Sequence, residues 1–188
     1  MRRFTRILLP VIALAFVLSL PLQAADHKYV GATKCRVCHM AKKKGDQFGI
    51  WSASKHSKAY ATLATPAAKE VGTKAGVANP AEDPKCLKCH VTAFDAPAAM
   101  KDVKYSNAEG ITCETCHGPG SDYSPIKVMK DRAASVAAGL ILPEVSTCVK
   151  CHNQQSPTFK SFNCAEMWAK IAHDDPEIEG GGVLKGCK

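Results

Sequence analysis

Cys113-Glu114-Thr115-Cys116-His117 decides the architecture, because the same C-x-x-C-H pattern returns at Cys35 to His39, Cys86 to His90 and Cys148 to His152. On one helical turn, residues three and four apart share a face. Two thiols so placed can each add to a vinyl group of one porphyrin, and the histidine that follows is aimed at the iron. Zinc knuckles also use C-x-x-C, but zinc has no need of a histidine directly after the second cysteine. Histidine makes up 7 of 188 residues. At that frequency, four chance placements have odds on the order of one in half a million. The pattern implies four covalent haem c groups. They attach through Cys35 and Cys38, Cys86 and Cys89, Cys113 and Cys116, and Cys148 and Cys151, with His39, His90, His117 and His152 as iron ligands.

Residues 1–24 read as a secretory leader. Arg2, Arg3 and Arg6 form its basic start, Ile7 to Leu20 its apolar run, and Leu22-Gln23-Ala24 offers a small residue at the cut. The run is shorter than the ~20 residues a span needs and Pro10 interrupts it, so no stable membrane span is expected after cleavage. A single domain, 25–188, then works in the periplasm. The whole chain carries +8; without the three leader arginines, 22 basic residues face 17 acidic ones, or +5. Each ferric haem with two propionates adds about −1, so the loaded protein is close to neutral. With no aromatic-plus-basic motif either, nucleic-acid binding is excluded.

The mature stretch 25–188 must serve all four motifs, and aromatic side chains make up only 6% of the chain. That is too little polypeptide to bury four macrocycles around a conventional core. The expected fold is therefore mainly α: a small multihaem cytochrome, helices and long loops wrapped around four haems, with little or no β-sheet. Its apoprotein should be largely unfolded, because cofactor binding and folding are coupled.

Phe48, Ser52, His56, Tyr60 and Leu63 follow a helical period, predicting a helix over 47–64 that Pro66 ends. Residues 65–84 lack large apolar side chains and read as a loop with at most a short helical turn. Ser124-Pro125 opens an apolar stripe running to Leu140, near Gly139. A last helix spans 158–173, with Asn163 and Glu166 as a capping box. Where haems form the core, a histidine on an apolar face points at one, so His56 and His173 are sixth-ligand candidates. His27 is either a solvated terminal residue or a further ligand. Met100, Met129 and Met167 read as packing residues. Lys42-Lys43-Lys44 is a solvated face or a docking patch for an acidic partner. The stretch between Cys86 and Cys113 is short, so haems 2 and 3 should be neighbours. The two spare cysteines, Cys164 and Cys187, suit a disulfide in an oxidising compartment.

Several of these stretches resemble the tetrahaem cytochrome c-554 family. They are Lys34-Cys35 to His39, Trp51, Ser54-Lys55-His56-Ser57-Lys58-Ala59, Gly110-Ile111-Thr112 with the third motif, Gly118-Pro119-Gly120, and Met167 to His173. The resemblance implies a helical fold on stacked haem pairs, with His56 crossing to haem 4 opposite His152 and His173 ligating haem 3 opposite His117. It also implies that haem 2 can lack a sixth protein ligand. The family's partner for haem 1 follows the third motif, but residues 118–151 here contain no histidine. That leaves His27 or a different ligation. Four irons take eight axial ligands and the chain has seven histidines, so at least one position is filled otherwise or open. The leading function is an electron carrier between periplasmic or membrane redox proteins. The alternatives are a small-nitrogen-oxide reductase at a five-coordinate haem and a self-associating, haem-lined filament subunit. No C-x-x-C-K variant, the mark of multihaem nitrite reductases, is present.

Overall fold

The computed structural model describes residues 27–176, 178 and 184–187; the leader read at 1–24 and the glycine run 180–182 lie outside them. Among the described residues ten short α-helices follow one another: α1 Ala32–His39, α2 Gln47–Ala53, α3 Ala59–Thr62, α4 Pro66–Lys74, α5 Pro84–His90, α6 Cys113–His117, α7 Ile126–Met129, α8 Arg132–Ala137, α9 Val145–Cys148 and α10 Cys164–Trp168. Among the described residues the only β pairing is two isolated bridges, Tyr29 with Lys101 and Glu144 with Lys185. The mainly helical architecture expected from the motifs is the one observed. No helix among the described residues is long and apolar enough to cross a membrane.

Four helix expectations need correction. The stripe from Ser124-Pro125 to Leu140 is two helices, α7 behind Pro125 and α8 behind Asp131, whose side chain accepts the Ala134 N–H (3.0 Å). The helix read over 47–64 is two pieces, because the chain turns extended at Ser54 (φ −76°, ψ 167°). Serine hydroxyls that bond nearby carbonyls compete with the helical ladder. Ser54 Oγ donates to Trp51 O (2.7 Å), and Ser57 Oγ to Ser52 O (2.9 Å) and Ser54 O (3.0 Å). Pro66 opens α4 rather than closing its predecessor: it sits in the first turn behind Thr65, whose side chain accepts the Ala68 N–H. The stretch 65–84 thus carries a nine-residue helix. The last helix covers only 164–168; Asn163 caps it by accepting the Glu166 N–H (3.2 Å), and the chain then leaves helical geometry before His173.

The polypeptide's own apolar core is small, as so short a chain shared among four motifs implied. Leu63, Leu87 and Val91 are buried together, with Tyr60, Ala81, Cys86 and Phe94 packed against them. Polar ties do much of the remaining work. Residues 28–31 form an arm between two loops: Tyr29 exchanges backbone bonds with Met100 and Asp102, and Lys28 pairs with Ser121. The Gly31 end is held by buried Glu114, which accepts N–H bonds from Val30 (2.8 Å), Gly31 (2.9 Å) and Gly120 (2.8 Å). Glu109 accepts those of Ala32 (2.9 Å) and Thr33 (3.3 Å). The first turn of α1, which has no side-chain cap from Gly31, is thus capped by carboxylates from far along the chain.

Cys164 and Cys187 form the expected disulfide, with Cα atoms 5.5 Å apart and a sequence separation of 23. It joins the start of α10 to the segment where Leu184 is buried and Lys185 pairs with Glu144 (2.8 Å). In the loop-entropy picture a closure of this length stabilises by about 3 kcal/mol. The expected result for C164S/C187S is a loss of that order in denaturant unfolding of the holoprotein. A variant with an unchanged midpoint would remove the disulfide from the list of stabilising features.

Candidate haem-binding sites

Each attachment motif sits on a turn that aligns its two thiols and its histidine. α1, α5 and α6 end on His39, His90 and His117 respectively. The fourth motif begins at the last residue of α9 and continues one turn further, His152 N–H bonding Cys148 O at 3.0 Å. Gly118, at φ 77°, stops α6 as the sequence suggested. A Cβ there would press on Gly139 O and Ile141, so the close approach of residues 139–141 to the third motif depends on glycine.

The four motifs meet thiol to thiol. Cys35 and Cys113 lie within hydrogen-bonding reach, and this shared bond, followed by burial, raises Cys35 far above the usual thiol value. Cys89 and Cys151 make a second such pair; burial first, then Cys89, pushes Cys151 up to about 12. Burial raises Cys116 to about 11, with Cys148 as the next contributor. In space the motifs therefore run 1–3–4–2. The neighbour relation expected between motifs 2 and 3 exists through the backbone: Thr92 bonds Gly110 O, Thr112 N–H and Thr115 Oγ1. Their thiols, however, face motifs 4 and 1.

The histidines complete the geometry. His56 and His152 have ring centres 6.1 Å apart with planes at 64°; His117 and His173 have centres 6.2 Å apart at 65°. Two imidazoles on opposite sides of one iron, with Fe–N of about 2.0 Å, place their ring centres about 6.3 Å apart. Both pairs fit a bis-histidine iron to within a few tenths of an ångström. The second shell points the same way. A ring whose Nδ1–H donates to a carbonyl presents Nε2 to a metal. Such partners are Ala59 O for His90 (2.7 Å), Ile141 O for His117 (3.1 Å) and Ile171 O for His173 (2.7 Å). Phe162 stacks on His152, centres 5.1 Å apart. Burial holds His56, His117 and His152 below the ordinary histidine value, keeping them neutral as ligation requires; His152 adds to the effect on His56.

Among the described residues, no histidine ring pairs in this way with His39 or His90. His27 lies beside the loop after the third motif. Its Nδ1 is 3.0 Å from Asp122 Oδ2, in ionic contact though off the line of a hydrogen bond, and its Nε2 edge rests on Gly139. The residues that the sequence did not single out are the carbonyls on Nδ1, Phe162, and the two carboxylates above α1. Only Glu114 carried a signal, as an acid inside an attachment motif.

Four attachment turns, joined by short helices and polar loops and ordered around paired histidines, fit the covalent binding of haem c in a multihaem c-type cytochrome. The family described as cytochrome c554 and c-prime matches residues 34–118. Cytochrome c-554 of Nitrosomonas europaea is 33% identical over 105 residues, covering 53% of this chain and 42% of that one. The polyhaem cytochrome OmcB of Geobacter sulfurreducens is 24% identical over 123 residues, covering 62% of this chain and 15% of that one. The matched stretch thus spans less than half the length of either relative. The solved structure of reduced cytochrome c554 from Nitrosomonas europaea superposes with a TM-score of 0.50 over 86% of both chains, at 24% identity, which speaks for the fold. Residues 34–118 are thus similar to the cytochrome c-554 family of multihaem cytochromes, and the fold of the longer stretch agrees with that likeness.

Proposed function

We propose that this protein is a periplasmic tetrahaem electron carrier whose four attachment motifs, in the spatial order 1–3–4–2, hold a continuous row of redox centres between two external partners. The observation that carries the reading is the pair of histidine–histidine spacings, 6.1 and 6.2 Å. Bound haem iron supplies a one-electron ferric/ferrous couple. The chain's residues set its position and poise. His152 with His56, and His117 with His173, ligate two irons symmetrically, a coordination that favours low potential and outer-sphere transfer. The close approach of attachment turns 1 and 3, 3 and 4, and 4 and 2 keeps neighbouring centres close. His39 and His90 ligate the two ends of the row.

His27 is the candidate sixth ligand we assign to the haem of His39, although its ring does not stand at the spacing of the other two pairs and would have to turn to reach that iron. Asp122 stands beside Nδ1, so Nε2 is the nitrogen that would reach a metal once that edge leaves Gly139. The position agrees with the resemblance, since the family's own ligand follows the third motif, and residues 121 and 122 are where the arm brings His27. His90 is then the iron ligand without a histidine opposite.

Intact-mass measurement of protein matured in a host competent for cytochrome c assembly is expected to show four haem adducts on the chain beginning at Ala25. Low-temperature electron paramagnetic resonance of the ferric form should count three low-spin irons and one high-spin iron. Fewer adducts, or four high-spin irons, would end this assignment.

A further inference from the structure

The first attachment helix differs from the other motifs on the side turned away from its porphyrin. At 100° per residue, Cys35, Cys38 and His39 define one direction on α1, and Val37 and Met40 lie about 26° and 34° from its opposite. Their exposure therefore does not depend on what the thiols carry. Val37 is 79% exposed and Met40 49%. The residue equivalent to Val37 is polar in every other motif: Lys88, Thr115 and Lys150. The residue equivalent to Met40 in the second motif, Val91, is 3% exposed, packed in the small apolar core. Only motif 1 leaves an apolar pair on its outer face.

Cations flank that pair along the chain. Residues 34–44 contain Lys34, Arg36, Lys42, Lys43 and Lys44 and no acid. Lys42 and Lys43 stand exposed on the 3-10 turn directly after Met40. Arg36 lies 5.9 Å over the Phe48 ring, which holds its guanidinium on the same flank. The nearest acid along the chain, Asp46, turns back to cap α2 through the Gly49 N–H (3.2 Å). An apolar centre within a charged rim is the anatomy of a transient protein interface, and the sign of the rim selects the partner.

The geometry points to the outer face of α1 as the docking surface for an acidic redox protein, with Val37 and Met40 as its apolar centre and Arg36, Lys42 and Lys43 as its cationic rim. It rests on the carrier reading above, in which motif 1 is one end of the row. Electrons then pass through the haem of His39 to or from that partner.

The test uses the purified holoprotein and two gold electrodes as stand-ins for partner surfaces, one coated with mixed methyl- and carboxylate-terminated thiols, the other with methyl- and amine-terminated thiols. Wild type should exchange electrons faster at the carboxylate surface. K42E/K43E should slow that exchange by about tenfold, and V37S/M40S by about threefold. K127E/K130E makes the same change in net charge on the exposed α7 region and should slow it less than twofold. All three variants alter exposed side chains, and an unchanged visible spectrum certifies their haem content. Equal losses for the two charge reversals, an unaltered rate in K42E/K43E, or faster exchange at the amine surface would each overturn the docking surface while leaving the carrier intact. A haem-loaded wild type silent at both electrodes would overturn the carrier reading and this inference with it.

Discussion

Alanine at His56 or at His173 is expected to convert one iron in four from low spin to high spin, a different iron in each variant, while all four haems stay attached. Neither residue belongs to an attachment motif, so covalent loading proceeds through the cysteines. In H56A the iron keeps His152, whose ring is still held by Phe162. In H173A it keeps His117, still fixed by Ile141 O. The double variant should show both conversions, because the two pairs belong to different motifs and share no partner. H27A should convert a third iron if His27 ligates the haem of His39. Electron paramagnetic resonance of the ferric proteins reads all of this directly. If neither single variant raised the high-spin signal, the spacings of 6.1 and 6.2 Å would be packing coincidences, and the ligands would lie elsewhere.

The second large effect is expected from E114A. Glu114 is 2% exposed and holds three backbone N–H groups that no other residue serves: Val30, Gly31 and Gly120. Burial raises its carboxyl above the ordinary glutamate value, and the three donors pull the other way. Burying the acid is therefore unfavourable in itself. Removing it is worse, because a buried donor left without an acceptor costs about 1–3 kcal/mol. Three such groups put the loss for E114A at roughly 3–6 kcal/mol, allowing for some relaxation or water penetration. E114Q keeps one acceptor oxygen but sets an amide N–H against a backbone N–H, and should fall in between. Denaturant unfolding of the holoproteins measures both. A loss below about 1 kcal/mol in E114A would mean that solvent reaches these donors and that the arm is not anchored as described.

What the sequence made legible was local chemistry. Three- and four-residue spacings place Cys35, Cys38 and His39 on one turn without reference to the rest of the chain, and the same holds for the other motifs. His56 and His173, the sixth-ligand candidates, were placed on the wrong carriers. Both stand outside helices, His56 in the serine-rich turn between α2 and α3 and His173 beyond α10. An apolar stripe identified what faces inward; it did not reveal that Ser54 and Ser57 divert the backbone. Thr65-Pro66 was misread because proline stops one helix and starts another with equal ease, and α4 has few large apolar residues to announce it. The order 1–3–4–2 was beyond reach, since it depends on which distant turns meet. The same is true of the carbonyls that orient His90, His117 and His173.

The arm at residues 28–31 also bears on biosynthesis. Its side-chain partners, Glu114 and Ser121, lie 83 to 93 residues further along. In the exported carrier proposed above, the first motif would emerge before the residues that fasten it, so haem attachment at Cys35 and Cys38 would meet a free segment that the third motif locks only later.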